Sequence, residues 1–271
     1  MNTAAPVDGG PTAPRCTLFG LGEMGMGIGL RIAAGGMALA AHDICAGRRQ
    51  RWAAQCRHGA SHAPEDSTVV LLALGDMNAT ARLLDSLLPR LAPGTLVVDH
   101  GTAAPDFLVR WQAQWPELAF CDAPLSGGRA GAQAGTLAAF IGGTDGDVGR
   151  IRPVLGTYCS HMTHFGPLGT GSVAKAANQV AIAGIVRGLV EAVAIGRTVG
   201  LDPVLLLEAL SNGNAGSRQI ADAMKRLGQD EATETLFRTG YDWLAQDLAI
   251  GAALAPDLPL ARLVSRLLAR P

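Results

Sequence analysis

Between Arg15 and about Leu168, short apolar runs alternate with stretches of helical period. The runs at 16–19, 37–43, 69–74, 95–100, 118–123, 136–143 and 161–165 are mostly apolar without strict alternation. Successive side chains of a strand point to opposite faces, so a continuous apolar run suits a strand covered on both sides. Segments 26–35, 46–57, 79–91 and 146–155 between them carry helical spacing. Strands alternating with helices predict a mostly parallel, doubly wound sheet of the α/β class. After Gly171 the strand signals stop. Residues 172–199 read as one helix on the order of 40 Å long at about 1.5 Å per residue. Shorter helices follow at 203–211, 217–227, 241–254 and 259–269. The spacing therefore predicts a sheet domain over 15–168 and an all-α domain over 169–271, led by a long interdomain helix.

Composition narrows the class. Apolar residues make up 48% of the chain and aromatics only 4%, a mixture suited to closely packed helices and sheets. A formal charge of −1 leaves no basic excess to hold a phosphate backbone, so no nucleic-acid partner is expected. Cys16, Cys45, Cys56, Cys121 and Cys159 are odd in number and never form a CxxC pair. That spacing argues against a disulfide framework or zinc site and for a reducing, cytoplasmic home. Residues 1–14, rich in Pro, Gly and Ala, lack the basic and apolar regions of a secretory signal and read as a disordered leader. The apolar stretch 180–199 is interrupted by Arg187, Glu191 and Arg197, which favours a helix of a soluble protein with no membrane partner.

The first strand runs directly into Gly20-Leu21-Gly22-Glu23-Met24-Gly25, a G-x-G-x-x-G. In such a loop the first glycine turns tightly, the second admits a pyrophosphate and the third lets helix pack on strand. The helix N-terminus offers free N–H groups and a positive dipole end to the phosphates. Asp43 follows at the end of the second strand, where a carboxylate accepts from the ribose hydroxyls and repels the extra phosphate of NADP. An alternative role is to cap the helix starting near Ala46. Arg48, Arg49 and Arg51 lie a turn later, so NAD is favoured and NADP stays open. Leu74, ending the third run, is a further expected cofactor contact.

Three more segments carry chemistry. Asp122-Ala-Pro-Leu-Ser126-Gly127-Gly128 places a Ser-Gly-Gly loop after a strand, with consecutive backbone N–H groups suited to a carboxylate. In Gly166-Pro-Leu-Gly-Thr-Gly-Ser-Val-Ala-Lys175-Ala-Ala-Asn178, Lys175 and Asn178 share one helix face, and the apolar residues after Lys175 point it into a cleft. Asp99-His100-Gly101-Thr102 ends a strand, where open α/β sheets bind ligands. His161 and His164 face opposite sides of a short strand and read as structural rather than metal ligands. No metal is expected.

Taken in order, these motifs resemble the β-hydroxyacid dehydrogenase family, which includes 3-hydroxyisobutyrate dehydrogenase, tartronate semialdehyde reductase and glyoxylate/succinic semialdehyde reductase. The likeness runs from Arg15 to about Leu248. It implies a Rossmann domain followed by a helical domain, as in 6-phosphogluconate dehydrogenase-like proteins. It also implies hydride transfer between NAD or NADP and the hydroxyl-bearing carbon of a small carboxylate substrate, in a homodimer or homotetramer. Lys175 matches the catalytic lysine and Asn178 the asparagine that orients substrate. Ser126, Gly127 and Gly128 match the carboxylate loop, Thr102 the threonine near nicotinamide and substrate, and Gly20 to Gly25 the dinucleotide fingerprint. Four departures stand out. Gly101 replaces a serine, and Gln179 the second asparagine of K-x-x-N-N. Gln246 replaces a lysine that reaches the cofactor, and the chain ends at Pro271, short of the relatives' last segment. The last two departures leave an impaired NAD-binding protein as the alternative reading.

Overall fold

The seven predicted strands all form; the central runs are buried on both faces, whereas the last, at 159–166, is largely exposed. The computed structural model describes residues 14–56, 62–227 and 244–255, together with 257 and 259. The first thirteen residues of the predicted leader, residue 57 of the second predicted helix, residues 241–243 and most of the last predicted helix lie outside the described residues. The strands are β1 (Cys16–Phe19), β2 (Leu39–His42), β3 (Val69–Leu72), β4 (Leu96–Asp99), β5 (Ala119–Asp122), β6 (Leu125–Ser126), β7 (Leu137–Gly142) and β8 (Cys159–Gly166). They form one sheet in the order β2-β1-β3-β4-β5-β7-β6, with β8 on β7. The first five are parallel to one another, whereas β7 runs antiparallel to β5 and β6 and parallel to β8.

The helices of this first unit are α1 (Glu23–Ala34), α2 (Ala46–Gln55), α3 (Met77–Leu87), α4 (Phe107–Gln114), α5 (Gly128–Ala134) and α6 (Asp145–Leu155). Val69, Leu71, Leu96 and Val98 join one core with Ile28, Ile32, Ile151 and Val154. Val70, Leu72, Val97 and Phe120 join the other with Leu84, Leu87, Phe107 and Leu108. Alternate residues of a strand therefore enter different cores, which is the physical reason the strands read as continuous apolar runs. Asp76 starts α3 two residues before the expected position by accepting from the N–H groups of Asn78 and Ala79.

The chain divides into two compact units between Ala174 and Lys175. α7 (Thr170–Thr198) is the long predicted helix, 29 residues or about 44 Å. By length and composition it could cross a membrane. Its Arg187 and Glu191 form an i,i+4 ion pair at 2.8 Å. In the second unit Leu189 and Val193 of α7 pack with Leu207 of α8 (Pro203–Ser211) and with Ile220 and Ala223 of α9 (Arg218–Leu227). α10 (Leu244–Leu254) packs Leu248 against Val180, Ile182 and Ala183.

Within the first unit, the start of α7 is fixed by one carboxylate. Asp122, the last residue of β5, accepts from the N–H of Gly169 at 2.7 Å and from that of Ser172 at 2.5 Å. Both groups are buried, and a negative charge at a helix N-terminus is favoured by the dipole. A Cβ on Gly142 or Gly171 would collide with this carboxylate or with the backbone beside it, so both glycines make room for the cap. Asp122→Ala strands two buried N–H donors and is expected to cost about 3 kcal/mol. Urea denaturation with Asp122→Asn as companion measures this; a loss under about 1 kcal/mol would reduce the cap to a minor contact.

Candidate active site

The parallel register brings the ends of five strands onto one rung: His42 opposite Phe19, Phe19 opposite Leu72, Leu72 opposite Asp99, and Asp99 opposite Asp122. Gly20, Asp43, Leu74, Thr102 and Ala123 therefore leave the sheet from the same edge. β1 lies between β2 and β3, the place where strand order reverses and a crevice opens at the carboxyl ends.

Gly20 has φ +100°, a left-handed value, and a Cβ there would run into the Ala73 carbonyl. A Cβ on Gly25 would strike the Gly20 carbonyl, so strand end and helix start can meet only through these two glycines. The expected start of α1 moves accordingly: Glu23, Met24 and Gly25 are its first turn rather than loop. Gly22 differs, because a Cβ there would meet nothing within 4 Å. Packing does not demand a glycine at that position, and the open space above it fits the close approach of a pyrophosphate. No side chain caps α1, which leaves its N-terminus available to an anion.

Leu21 is buried, and its N–H donates to Asp43 Oδ2 at 2.7 Å. Asp43 Oδ1 accepts from the N–H of Cys45 at 2.8 Å, and Arg48 approaches Oδ2 at 3.4 Å. Burial pushes the carboxyl up, but the Cys45 and Leu21 N–H groups and Arg48 outweigh it and hold it below its ordinary range. Cys45 is the N-cap of α2, so Asp43 stands two residues before that helix and accepts from the N–H of its N-cap. Asp43 ties the β2 turn to the glycine loop. Arg49 is held by the carbonyls of Asp43 and Ile44 at 2.7 and 2.9 Å.

Leu74 lies between two turns. Its side chain faces the Gly20 position, and its carbonyl stands 3.2 Å from where a Cβ on Gly101 would be. That Cβ would also stand 3.0 Å from Asp99 Oδ1, which accepts from the Gly101 N–H at 2.8 Å. A side chain at position 101 would be tightly placed in this turn but not excluded by the backbone. Thr102 follows, half-buried. His100 points inward: its Nδ1 meets the Ala123 carbonyl at 2.8 Å and its Nε2 the Tyr158 hydroxyl at 2.9 Å. Nothing in the spacing of Asp99-His100-Gly101-Thr102 signalled the Tyr158 partner.

The Ser126–Gly128 segment is a short link between a strand and a helix. Ser126 closes the two-residue β6, and α5 begins at Gly128. Gly127 and Gly128 turn the chain between them with φ of +126° and +61°, where other residues would be strained. His161 meets Ser160 Oγ, and His164 meets the carbonyls of Gly143 and Gly166. Among the described residues no group of three or more His, Cys, Asp or Glu could hold a metal ion.

In the second unit, Lys175 is buried with 7% of its surface exposed, and its Nζ donates to Gln179 Oε1 at 3.1 Å. Burial lowers its pKa, and the Asp247 carboxylate offsets part of that fall. Asn178 Nδ2 donates to the same Gln179 oxygen at 2.9 Å, and Gln179 Nε2 donates to Asp247 Oδ2 at 2.7 Å. Gln179, read from the sequence as a departure, is thus what joins Lys175 to Asn178. Gln246 lies in α10, two residues past its start, and its side chain is outside the described residues.

The chain is similar to known proteins along both units. Residues 15–166 match the family profile described as the NAD binding domain of 6-phosphogluconate dehydrogenase. Residues 169–270 match the one described as NAD-binding of NADP-dependent 3-hydroxyisobutyrate dehydrogenase. An uncharacterized oxidoreductase of Shewanella frigidimarina is 29% identical, covering 93% of this chain and 90% of that protein. The 3-hydroxyisobutyrate dehydrogenase of Pseudomonas aeruginosa is 37% identical over 171 residues, 61% of this chain and 55% of that protein. A solved structure of Mycobacterium tuberculosis 3-hydroxyisobutyrate dehydrogenase with L-serine shares the fold. Its TM-score is 0.80 at 24% identity, covering 95% of this chain and 93% of that one. None of these matches supports the impaired alternative.

The strand-end pair Asp99 and His100 gives an opposed pH dependence. Burial first, and then the Asp122 charge, push Asp99 from 3.8 up to about 6 against the pull of the Gly101 N–H. Burial takes His100 from 6.5 down to about 4, offset in part by the Ala123 carbonyl. Between those values the folded chain keeps a proton on Asp99 that the unfolded chain releases, so this group's contribution to stability falls as pH rises. His100 acts oppositely: the unfolded chain takes up its proton first, so stability rises with pH. The two nearly cancel between pH 4 and 6. Asp99→Asn leaves the histidine unopposed. Relative to the native chain, the variant's stability should climb by about 2 kcal/mol from pH 4 to 6, read by urea denaturation at fixed pH steps. Parallel profiles for the two proteins would show that Asp99 is not protonated in the folded chain.

Proposed function

The chain belongs to the β-hydroxyacid dehydrogenase family and is an oxidoreductase with a nicotinamide cofactor; on that premise we propose that it oxidises a short hydroxy acid, or reduces the matching semialdehyde, with Lys175 as the acid–base group. The observation that carries this reading is the buried Lys175 with its amine held by a neutral amide rather than by a carboxylate. The chain has just two lysines, Lys175 and Lys225, among its 22 Lys and Arg residues, so a lysine inside a helix core is not there by default. Only lysine of the two cations can lose its proton near neutral pH once burial lowers its pKa.

When bound, the nicotinamide supplies or accepts the hydride. In oxidation the neutral amine of Lys175 takes the hydroxyl proton; in reduction its ammonium returns a proton to the carbonyl oxygen. Asn178 orients the substrate, Thr102 stands near nicotinamide and substrate, and Ser126, Gly127 and Gly128 take the carboxylate, roles that the family resemblance gives them. The substrate class that fits is 3-hydroxyisobutyrate or another short carboxylate of the same kind. Gly20 to Gly25 and Leu74 are assigned to the dinucleotide, with Gln246 as a further contact. Asp43 supports NAD: it is held ionised where a 2′-phosphate would sit, and Arg48 and Arg49 are engaged with it and its neighbour.

Two experiments test the reading. Lys175→Ala should lower kcat by about a hundredfold or more on a responsive member of a panel of short semialdehydes and hydroxy acids, with NADH binding kept. Lys175→Arg should not rescue it, because guanidinium stays protonated. Near-native turnover by Lys175→Ala would remove the lysine from the chemistry. Calorimetric titration should give NADH an affinity at least about tenfold above that of NADPH, a gap that narrows in Asp43→Asn. Equal affinities in the native chain would assign Arg48 or Arg49 to the 2′-phosphate instead.

A further inference from the structure

Three polar side chains of α7 and one of α10 form a closed hydrogen-bond chain in the second unit: Asn178 and Lys175 to Gln179, and Gln179 to Asp247. Gln179 is fully buried and lies at its centre. The direction of its amide follows from its partners. An ionised carboxylate can only accept and an ammonium can only donate, so Nε2 must face Asp247 and Oε1 must face Lys175. Both lone pairs of Oε1 are then used, one by Lys175 at 3.1 Å and one by Asn178 at 2.9 Å. Asp247 reaches this amide because α10 comes close to α7 at Gly251, where a Cβ would stand 2.9 Å from Val180 Cγ2.

We propose that Gln179 is a positioning residue: one oxygen holds the amine of Lys175 and the amide of Asn178 together, and Asp247 locks that oxygen in place. The proposal rests on the acid–base role given to Lys175 above, but its mechanics are separate. Oε1 stabilises the ammonium form of Lys175 by a charge-assisted hydrogen bond without neutralising it. Among the described residues, Asp247 is the charged group that acts on Lys175, and Gln179 and Asn178 beside it are neutral. The arrangement opposes the desolvation of the lysine by a moderate amount. A carboxylate in direct contact would pin the proton, and an apolar neighbour would expel it.

The two lysines of the chain make a direct test simple. Full-length protein carrying 13C- and 15N-labelled lysine should give two side-chain Cε–Nζ signals, assigned by their loss in Lys225→Arg. The Lys175 signal is then titrated without cofactor or substrate in the native chain, in Gln179→Met, in Gln179→Asn and in Asp247→Asn. Gln179→Met fills the same space without the amide and should lower the Lys175 midpoint by about one unit. Asp247→Asn should also lower it, since a raising charge is removed. Gln179→Asn keeps an amide and should fall between native and Gln179→Met. Lys225 should not move in any of them. A Lys175 midpoint in Gln179→Met at or above the native one overturns the proposal. Should that variant not fold, a Gln179→Asn or Asp247→Asn midpoint equal to the native does so in its place. A native chain that turns over no member of the substrate panel would sink the dehydrogenase reading and leave this titration unaffected.

Discussion

Two backbone N–H groups at the start of a 29-residue helix have no partner in their own helix, and a single carboxylate supplies one. Asp122 can do this because it ends β5 on the same rung as Asp99, with two glycines leaving it room. Much of the first unit depends on that placement. The rung fixes where the five strands stop, and their ends fix where the glycine loop, Asp43, Leu74 and Thr102 emerge. The same residue also bears on its neighbour, since its charge adds to the burial that raises the Asp99 pKa. One carboxylate at a strand end thus connects helix capping to the electrostatics of the sheet's working edge.

The buried titratable groups follow a common physical rule with different results. Burial pushes Asp99 and His100 toward their neutral forms, the carboxyl up to about 6 and the imidazole down to about 4. Lys175 meets the same desolvation but has Asp247 within electrical reach through an amide. At Lys175 the two act against each other, with burial the larger.

The fold was legible wherever burial was two-sided and elements were long. Val69–Leu72 and Leu96–Asp99 alternate between two cores, so no polar face interrupted their signal. β6 left no signal because two residues cannot show a period, and α5 is built from Gly and Ala with no apolar stripe. α4, eight residues with only Phe107 and Leu108 buried, was too short to stand out. The candidate site was legible where spacing is local, as in the glycine loop and the Lys175–Asn178 pair. It was not legible where partners are remote: Asp122 works with N–H groups 47 and 50 residues on, His100 with Tyr158, and Gln179 with Asp247 68 residues away. Gln179 shows the limit most clearly. Its difference from relatives was visible, but its meaning depended on a helix whose approach the sequence does not encode locally.

Asp43 serves two structural donors at once, the N–H of Leu21 in the glycine loop and that of Cys45 at the next helix. On the proposed reading, the residue that would set cofactor preference is also the one that ties the glycine loop to the β2 turn. A lineage drifting toward a phosphorylated dinucleotide could not simply exchange the acid for a cation. The new side chain would leave the Leu21 N–H without its acceptor, and the glycine loop would loosen with it. Such a drift has to pass first through a substitution that moves the acceptor elsewhere, which makes the order of mutations, and not only their sum, part of what the fold permits.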